Sequence, residues 1–273
     1  MHVVFAGPAA AANPLVLLES GAFGMSADWA AVQEALAAAN YRSLAYDRAG
    51  LGRSDPGPSP RDGLAIVGDL ERLLRALGEH GPFILCGHSM AGLHVRLFAA
   101  RNPGRIAGVV LVDAAAPEAM DSDVVSTGID QFGHLAKAFA WGAGTGLFKP
   151  LAGMLGDAIG LTGAAGDEKR RTFADAGHNQ WAADEVKNWA ASSRQARDAG
   201  GLNEEWPVAV VAAGAPDGPA GFKAMQTGAA KASRAGSIEH VAGASHATML
   251  SATYAGAIVR GVQHVRDQAR AKA

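Results

Sequence analysis

The chain has 273 residues, of which 49% are hydrophobic, and its 24 basic and 26 acidic residues give a formal charge of −2. This length and composition allow one large domain with a sizeable core and exclude an intrinsically disordered chain. The balanced charge excludes a strongly basic nucleic-acid-binding protein, and Pro and Gly interrupt every apolar run before it reaches the length of a membrane span.

Short β-rich segments alternate with helical ones in the first 113 residues, which is typical of a parallel sheet with helices on both faces. The strongest helical spacing lies in the segment 64–77, where leucine and valine side chains form one stripe. The predicted strands are His2–Phe5, Leu15–Leu18, Arg42–Tyr46, Phe83–Cys86 and Ile106–Val112, and the predicted helices are Asp28–Ala39, Leu64–Leu77 and Met90–Ala100.

The pattern changes after Asp113. From Ala114 to about Gly201 no strand is predicted, and helix-like stretches alternate with glycines and aromatic residues, which indicates a helical insertion. Strands are predicted again at Val208–Ala212 and Ser237–Val241, before a final helix at 247–271. We therefore expect residues 1–113 and 202–273 to form one core and residues 114–201 to form an insertion in it.

The strongest chemical signal is the segment 83–92, in which an apolar strand runs directly into a Gly-His-Ser-Met-Ala turn and then a helix. A nucleophilic serine on such a strained turn needs small residues two positions before and after it, and Gly87 and Ala91 meet this need. The helix start that follows would stabilise developing negative charge. Ser89 is therefore the predicted nucleophile, and a plain helix N-cap is the alternative.

A serine hydroxyl needs a base, and the base needs a carboxylate to orient it. His246 lies in the loop between the last predicted strand and the last helix, which would return it to the carboxyl edge of the sheet. Asp217, in a Pro-Asp-Gly turn after another strand, is the first choice of acid. Asp113, at the end of strand 106–112, is the alternative acid, and Glu118 is a weaker third choice.

An oxyanion hole needs two backbone N–H groups aimed at the reacting oxygen. We expect one from Met90, next to the nucleophile, and one from the loop after the strand 15–18, where Gly21 permits close approach and Ala22 is the predicted donor.

Four aromatic residues are predicted to line an apolar substrate pocket, with a role in the insertion's own core as the alternative. They are Phe23, Phe132, Trp141 and Trp181.

These motifs together resemble the α/β-hydrolase fold superfamily, in which the triad also follows the order Ser, Asp, His. The resemblance implies a mostly parallel central sheet flanked by helices, with an inserted helical cap. It rests on Leu17–Gly21, Tyr46–Ser54, the turn around Ser89, Leu111–Asp113, Gly214–Asp217 and Gly243–His246.

The resemblance implies hydrolysis of an ester, lactone, thioester or C–C bond of a small-molecule substrate, with no cofactor and no metal. Ser89 stands where epoxide hydrolases and dehalogenases of the superfamily carry Asp, which argues against both activities. Perhydrolases, hydroxynitrile lyases and non-catalytic binding proteins share the scaffold and stay as alternatives. Arg48 is expected either to buttress loops near the site or to form a surface ion pair.

The single cysteine, Cys86, excludes an internal disulfide and favours a reducing, cytoplasmic location. We expect no nucleic-acid partner and no membrane span, and a homodimer is left open as the oligomeric state.

Overall fold

A seven-stranded sheet forms the centre of the computed structural model, which describes residues 1–9, 13–216 and 220–271. β1 is antiparallel to β3, and all the other neighbouring strands are parallel. This arrangement confirms the predicted α/β class. The strands are β1 (Val3–Ala6), β2 (Leu15–Glu19), β3 (Ser43–Tyr46), β4 (Phe83–His88), β5 (Ile106–Val112), β6 (Val208–Ala213) and β7 (Gly236–Val241), in the spatial order β1-β3-β2-β4-β5-β6-β7.

Helices cover both faces of the sheet. None of the described helices is both long and apolar enough to cross a membrane. They are α1 (Ala30–Ala38), α2 (Gly63–Ala76), α3 (Ala91–Arg101), α4 (Asp123–Gly144), α5 (Ala152–Leu155), α6 (Gly163–Phe173), α7 (Ala176–Lys187), α8 (Trp189–Asp198), α9 (Ala220–Ala232) and α10 (Ala255–Ala271).

Side chains alternate along each strand between two hydrophobic clusters, one on each face. In β2, Leu15 and Leu17 join the cluster that includes α2 and α3, whereas Val16 and Leu18 join the cluster that includes α1 and α10. Burial on both faces is why the strands read as continuous apolar runs in the sequence.

The segment between β5 and β6 contains helices and no strand in the part of the chain that the structure describes. Its largest internal contact is between α4 and α7, which approach closely because small side chains line the contact. Ala136 and Ala140 of α4 pack there against Ala183 and Val186 of α7. This segment lies beside the loop after β2, since Phe132 of α4 contacts Phe23 of that loop.

Among the element boundaries that differ from the prediction, two lie near candidate site residues. β4 continues beyond Cys86 through His88, because its last residues stay paired with β5 up to Val112. The final helix begins at Ala255 rather than 247, because Ser251 has extended backbone angles after a short 3-10 turn and interrupts the helix. His246 therefore lies well before the final helix, in the loop that follows β7.

Candidate active site

The turn between β4 and α3 holds Ser89 in a left-handed backbone conformation, with φ of +57°. Small neighbours make the turn possible. A Cβ on Gly87 would lie 2.8 Å from Val95 Cγ1, and a Cβ on Gly92 would lie 2.3 Å from the carbonyl oxygen of Ala115. Ala91, where glycine is more usual, is fully buried, so the packing accommodates its methyl group.

Three side chains form a continuous hydrogen-bonded chain at the carboxyl edge of the sheet. The Oγ of Ser89 lies 2.9 Å from Nε2 of His246, and Nδ1 of His246 lies 2.6 Å from Oδ2 of Asp113. Asp113 follows β5, and His246 lies in the loop after β7. An imidazole that donates from Nδ1 to the carboxylate keeps its Nε2 lone pair free to accept the serine proton.

The carboxylate of Asp113 is itself oriented by its surroundings. Its Oδ1 accepts hydrogen bonds from the Ala213 backbone N–H at 3.1 Å and from Nε2 of Gln226 at 2.9 Å, which leaves Oδ2 for His246. Burial raises the pKa of Asp113, but the hydrogen bond and charge of His246 together with these donors outweigh burial and lower that pKa below its ordinary value. The site therefore holds an ionised carboxylate.

Of the candidate acids that the structure describes, Asp113 and Glu118, it is Asp113 that contacts His246. Asp217, the first choice, lies outside the described residues. Glu118 is exposed in a 3-10 turn after β5. Sequence reasoning missed Gln226, because a glutamine in a helix carries no local signal of a contact 113 residues away.

His88 lies directly beneath the base. Its Nε2 donates to the backbone carbonyl of His246 at 3.0 Å, and the two ring centroids are 4.6 Å apart. Burial, with the charge of His246, lowers the pKa of His88 to about 3. His88 thus fixes the loop that carries His246 and adds no positive charge beside it.

The loop after β2 runs against the nucleophile. A Cβ on Gly21 would lie 2.7 Å from the Cβ of Ser89, so only glycine lets the backbone pass this close. Phe23, two residues on, has φ of +57°, an uncommon value for an aromatic residue. Met90 is buried at the start of α3. The backbone N–H groups of Met90 and Ala22 stay the predicted oxyanion donors.

Arg48 is fully buried, so its interpretation as a surface ion pair is wrong. Its guanidinium donates to the carbonyls of Ser20 at 2.5 Å and Gly21 at 2.7 Å, and it also pairs with Glu19 and with Glu185 of α7. The two carboxylates outweigh burial and raise the pKa of Arg48 above its ordinary value. Arg48 therefore ties the loop beside Ser89 to the helical segment.

A cavity of about 280 Å³ opens between this loop and the helical segment. Phe23 and Phe132 are among the residues that line it. Trp141 is 71% exposed on α4, and Trp181 packs against Gly50, where a Cβ would meet its ring at 2.2 Å. The pocket roles of all four aromatic residues stay predictions.

Comparison with known proteins agrees with the observed fold. A family model of the alpha/beta hydrolase fold matches residues 14–157. The chain is 37% identical over 107 residues to the "Probable transporter efuK" of Hormonema carpetanum, a match that covers 38% of this chain and 15% of that protein. It is 39% identical over 90 residues to the non-heme chloroperoxidase of Streptomyces lividans, which covers 33% of this chain and 32% of the relative. The chain thus aligns with well under two thirds of the length of these relatives.

Among solved structures, the enol-lactonase from Burkholderia xenovorans LB400 superposes with a TM-score of 0.67 and 21% identity, over 97% of this chain and 95% of that one. Identity this low shows the shared fold alone. The family model, however, matches more than half of the 273 residues. From the family match, the sheet order and the structural superposition together, we conclude that the chain belongs to the alpha/beta hydrolase fold family.

Proposed function

We propose that this protein is a serine hydrolase that cleaves an ester, lactone or thioester of a small hydrophobic substrate through an acyl-enzyme on Ser89. One observation carries the proposal: the unbroken hydrogen-bonded chain from Ser89 through His246 to Asp113, at 2.9 and 2.6 Å. Heavy-atom distances of this size permit direct proton transfer from the nucleophile to the base.

The proposed reaction has two acyl-transfer steps. Ser89 Oγ attacks the carbonyl carbon while Nε2 of His246 takes its proton, and the backbone N–H groups of Met90 and Ala22 donate to the resulting oxyanion. The tetrahedral intermediate collapses, and the leaving group departs with the proton from His246. Water, deprotonated by His246, then attacks the acyl-enzyme and releases the acid. Asp113 stabilises the imidazolium throughout without taking its proton.

The preference for hydrophobic substrates rests on the cavity beside Phe23. Apart from Lys169, Thr172, His178 and Asn179, the residues around it are apolar, and Phe23 lies two residues from Gly21, which contacts Ser89. An apolar acyl group could therefore occupy the cavity while its carbonyl carbon lies at the serine. Residues 114–201 would act as the cap that forms the outer wall.

A substrate panel tests the proposal. Neutral aromatic and medium-chain esters, lactones and thioesters, together with short charged esters, would be assayed on the wild type and on Ser89→Ala. We expect turnover of neutral apolar substrates, with loss of activity in Ser89→Ala. Faster turnover of short charged esters would contradict the substrate class, and activity unchanged in Ser89→Ala would contradict the mechanism.

A perhydrolase activity is the second candidate, and the similarity to the non-heme chloroperoxidase of Streptomyces lividans favours it. In that reaction hydrogen peroxide, instead of water, would attack the acyl-enzyme on Ser89 and release a peracid. Assays with acetate and peroxide separate the two activities: peracid formation faster than ester hydrolysis would identify a perhydrolase.

A cytoplasmic location is part of the proposal and rests on the single cysteine, which makes an oxidising compartment unnecessary for folding.

A further inference from the structure

The carbonyl oxygen of Phe23 is held by a buried lysine from the helical segment. Nζ of Lys169, on α6, donates to this carbonyl at 3.2 Å and lies 2.8 and 2.9 Å from the two carboxylate oxygens of Asp28. The side chains of Lys169 and Asp28 are only 18% and 7% exposed. One ammonium group thus joins α6 to the loop after β2 and to the 3-10 turn that follows it.

A buried histidine from α7 faces the same carbonyl. Nδ1 of His178 accepts a hydrogen bond from the backbone N–H of Gly52 at 3.1 Å, so Nε2 carries the proton. Burial, with the charge of Lys169, lowers the pKa of His178 to about 3, and a hydrogen bond to the Phe23 backbone opposes this shift. Neutral His178 and charged Lys169 therefore both act on the Phe23 carbonyl.

Phe23 needs such support because of its backbone conformation. The left-handed region is unfavourable for a non-glycine residue, and the conformation persists only where its surroundings impose it. The N–H of Ala22, the predicted second oxyanion donor, belongs to the peptide between Gly21 and Ala22. The carbonyl of that peptide accepts a hydrogen bond from the Gly24 N–H at 3.1 Å, and the Gly24 N–H shares a peptide with the Phe23 carbonyl. A rotation at Phe23 would therefore break the Gly24–Gly21 hydrogen bond and release the peptide that carries the Ala22 N–H.

We propose that Lys169 is a positioning residue for the oxyanion loop (residues 20–24). It holds Phe23 in the left-handed conformation, and so keeps the Ala22 N–H where it can donate to the oxyanion. The inference rests on the proposed function, because an oxyanion must form for the loop to matter. Arg48, which follows β3, donates to the carbonyls of Ser20 and Gly21. Lys169, from the helical segment, donates to the carbonyl of Phe23. The helical segment thereby acts on the rate of the chemical step as well as on substrate binding.

Replacing Lys169 by methionine keeps the length of the side chain and removes the ammonium group. Because the oxyanion forms only in the transition state, we expect kcat to fall about 10- to 100-fold, which is less than the loss of a direct donor. Lys169 also lines the cavity beside Phe23, so KM should change as well, but by a smaller factor than kcat. Lys169→Arg, which retains the charge and donors, should restore most of kcat. Lys137→Met, an exposed lysine on α4, is the matched control and should match the wild type.

A pair of inhibitors reports on the oxyanion directly. Ser89 adds to the carbonyl of an aryl trifluoromethyl ketone and forms a hemiketal whose oxyanion lies in the proposed oxyanion hole. The corresponding methyl ketone binds without forming this oxyanion. We expect the dissociation constant of the methyl ketone divided by that of the trifluoromethyl ketone to fall in Lys169→Met by the same factor as kcat. This ratio cancels any change in cavity binding that the two ketones share. A role of Lys169 in folding alone would leave this ratio unchanged.

The possible outcomes separate the two proposals. A folded Lys169→Met variant with wild-type kcat and an unchanged inhibitor ratio would overturn the positioning role. If that variant does not fold, the double variant Lys169→Met with Asp28→Asn takes its place, because it also removes the carboxylate that loses its partner. Wild-type kcat in this folded double variant would likewise overturn the role. A wild-type protein that does not distinguish the two ketones would instead refute the proposed hydrolase.

Discussion

At the scale of single residues, the hydrogen bond from His246 to Asp113 fixes which imidazole nitrogen carries a proton. Asp113 has φ of +41°, a conformation that aspartate tolerates better than most residues, and this turns its carboxylate back over the edge of the sheet. With Gln226 and the Ala213 N–H on Oδ1, only Oδ2 is directed at His246. Rotation of the carboxylate would break all three hydrogen bonds.

The first prediction separates the two candidate acids. Asp113→Asn replaces the acceptor facing Nδ1 with an amide and removes the charge that stabilises the imidazolium, so kcat should fall about 10³- to 10⁴-fold. Asp217→Asn is the matched variant and should reduce kcat less than about threefold. Steady-state kinetics with a neutral aryl ester gives both values. The reverse order of losses would assign the acid to Asp217.

The sequence predicts the nucleophile and the base better than the acid, for a physical reason. Ser89 needs small neighbours on a strained turn, and that requirement is visible within five residues. Asp113 and Asp217 both follow strands whose carboxyl ends share one edge, so local sequence cannot rank them. The positive φ of Asp113 and its contact with Gln226 orient its carboxylate. The residues next to Asp113 in the sequence predict neither of these features.

At the scale of elements, a buried cluster of charges connects three parts of the chain. Glu19 ends β2, Arg48 follows β3, and Glu185 belongs to α7. Tyr46 and His94 also hydrogen-bond to Glu19. Burial raises the pKa of Glu19, but these hydrogen bonds and charges outweigh burial and lower it overall. Removing one partner would leave the others buried without compensation.

The second prediction compares two arginines that each pair with a glutamate of the helical segment. Arg48→Met should lower the free energy of unfolding by about 3–5 kcal/mol, because Glu19 and Glu185 lose a buried partner. Arg53→Met removes an arginine whose side chain is 52% exposed and which pairs with Glu168, so the loss should stay below about 1 kcal/mol. Urea denaturation followed by circular dichroism measures both, and equal losses would refute a special role for the buried cluster.

Strand prediction succeeds where the strand is buried on both faces and weakens at the edges. The predicted segment 106–112 coincides with β5, whose side chains are nearly all buried. The final helix begins later than predicted because Ser251 interrupts it, and the apolar spacing does not reveal that turn. The sequence around Glu185 does not predict a buried ion pair, because its partner Arg48 is 137 residues away.

At the scale of the whole molecule, buried neutral histidines make stability depend on pH. The pKa values of His88 and His178 are both lowered to about 3, chiefly by burial. In the unfolded chain each would bind a proton below about pH 6.5. The unfolded state then holds more protons than the folded state, so stability is complete above about pH 6.5 and decreases as the pH falls toward 3.

The third prediction follows from this sign. As the pH falls from 6 to 4, each of these histidines should lower the free energy of unfolding by about 1.4 kcal/mol for every pH unit. In His178→Gln one contribution disappears and the slope should decrease by that amount. His134→Gln, at an exposed position on α4, serves as the control and should keep the wild-type slope. Stability that stays constant from pH 7 to pH 5 would contradict the buried, uncharged state of both side chains.

The helical segment contacts the loops beside the candidate site, and these contacts are polar in one part and apolar in another. Arg48 and Lys169 make the polar contacts, while Phe23 and Phe132 meet edge to face beside the cavity. This division suits a segment that shapes an apolar pocket and also fixes a catalytic loop.

Labelling with a fluorophosphonate probe, followed by intact mass measurement and peptide mapping, tests whether Ser89 is the activated nucleophile. We expect a single adduct on Ser89, no adduct in Ser89→Ala, and much slower labelling in His246→Gln, because the hydroxyl is activated through Nε2. A folded wild-type protein that stays unlabelled, or that carries the adduct on another residue, would contradict this role of Ser89.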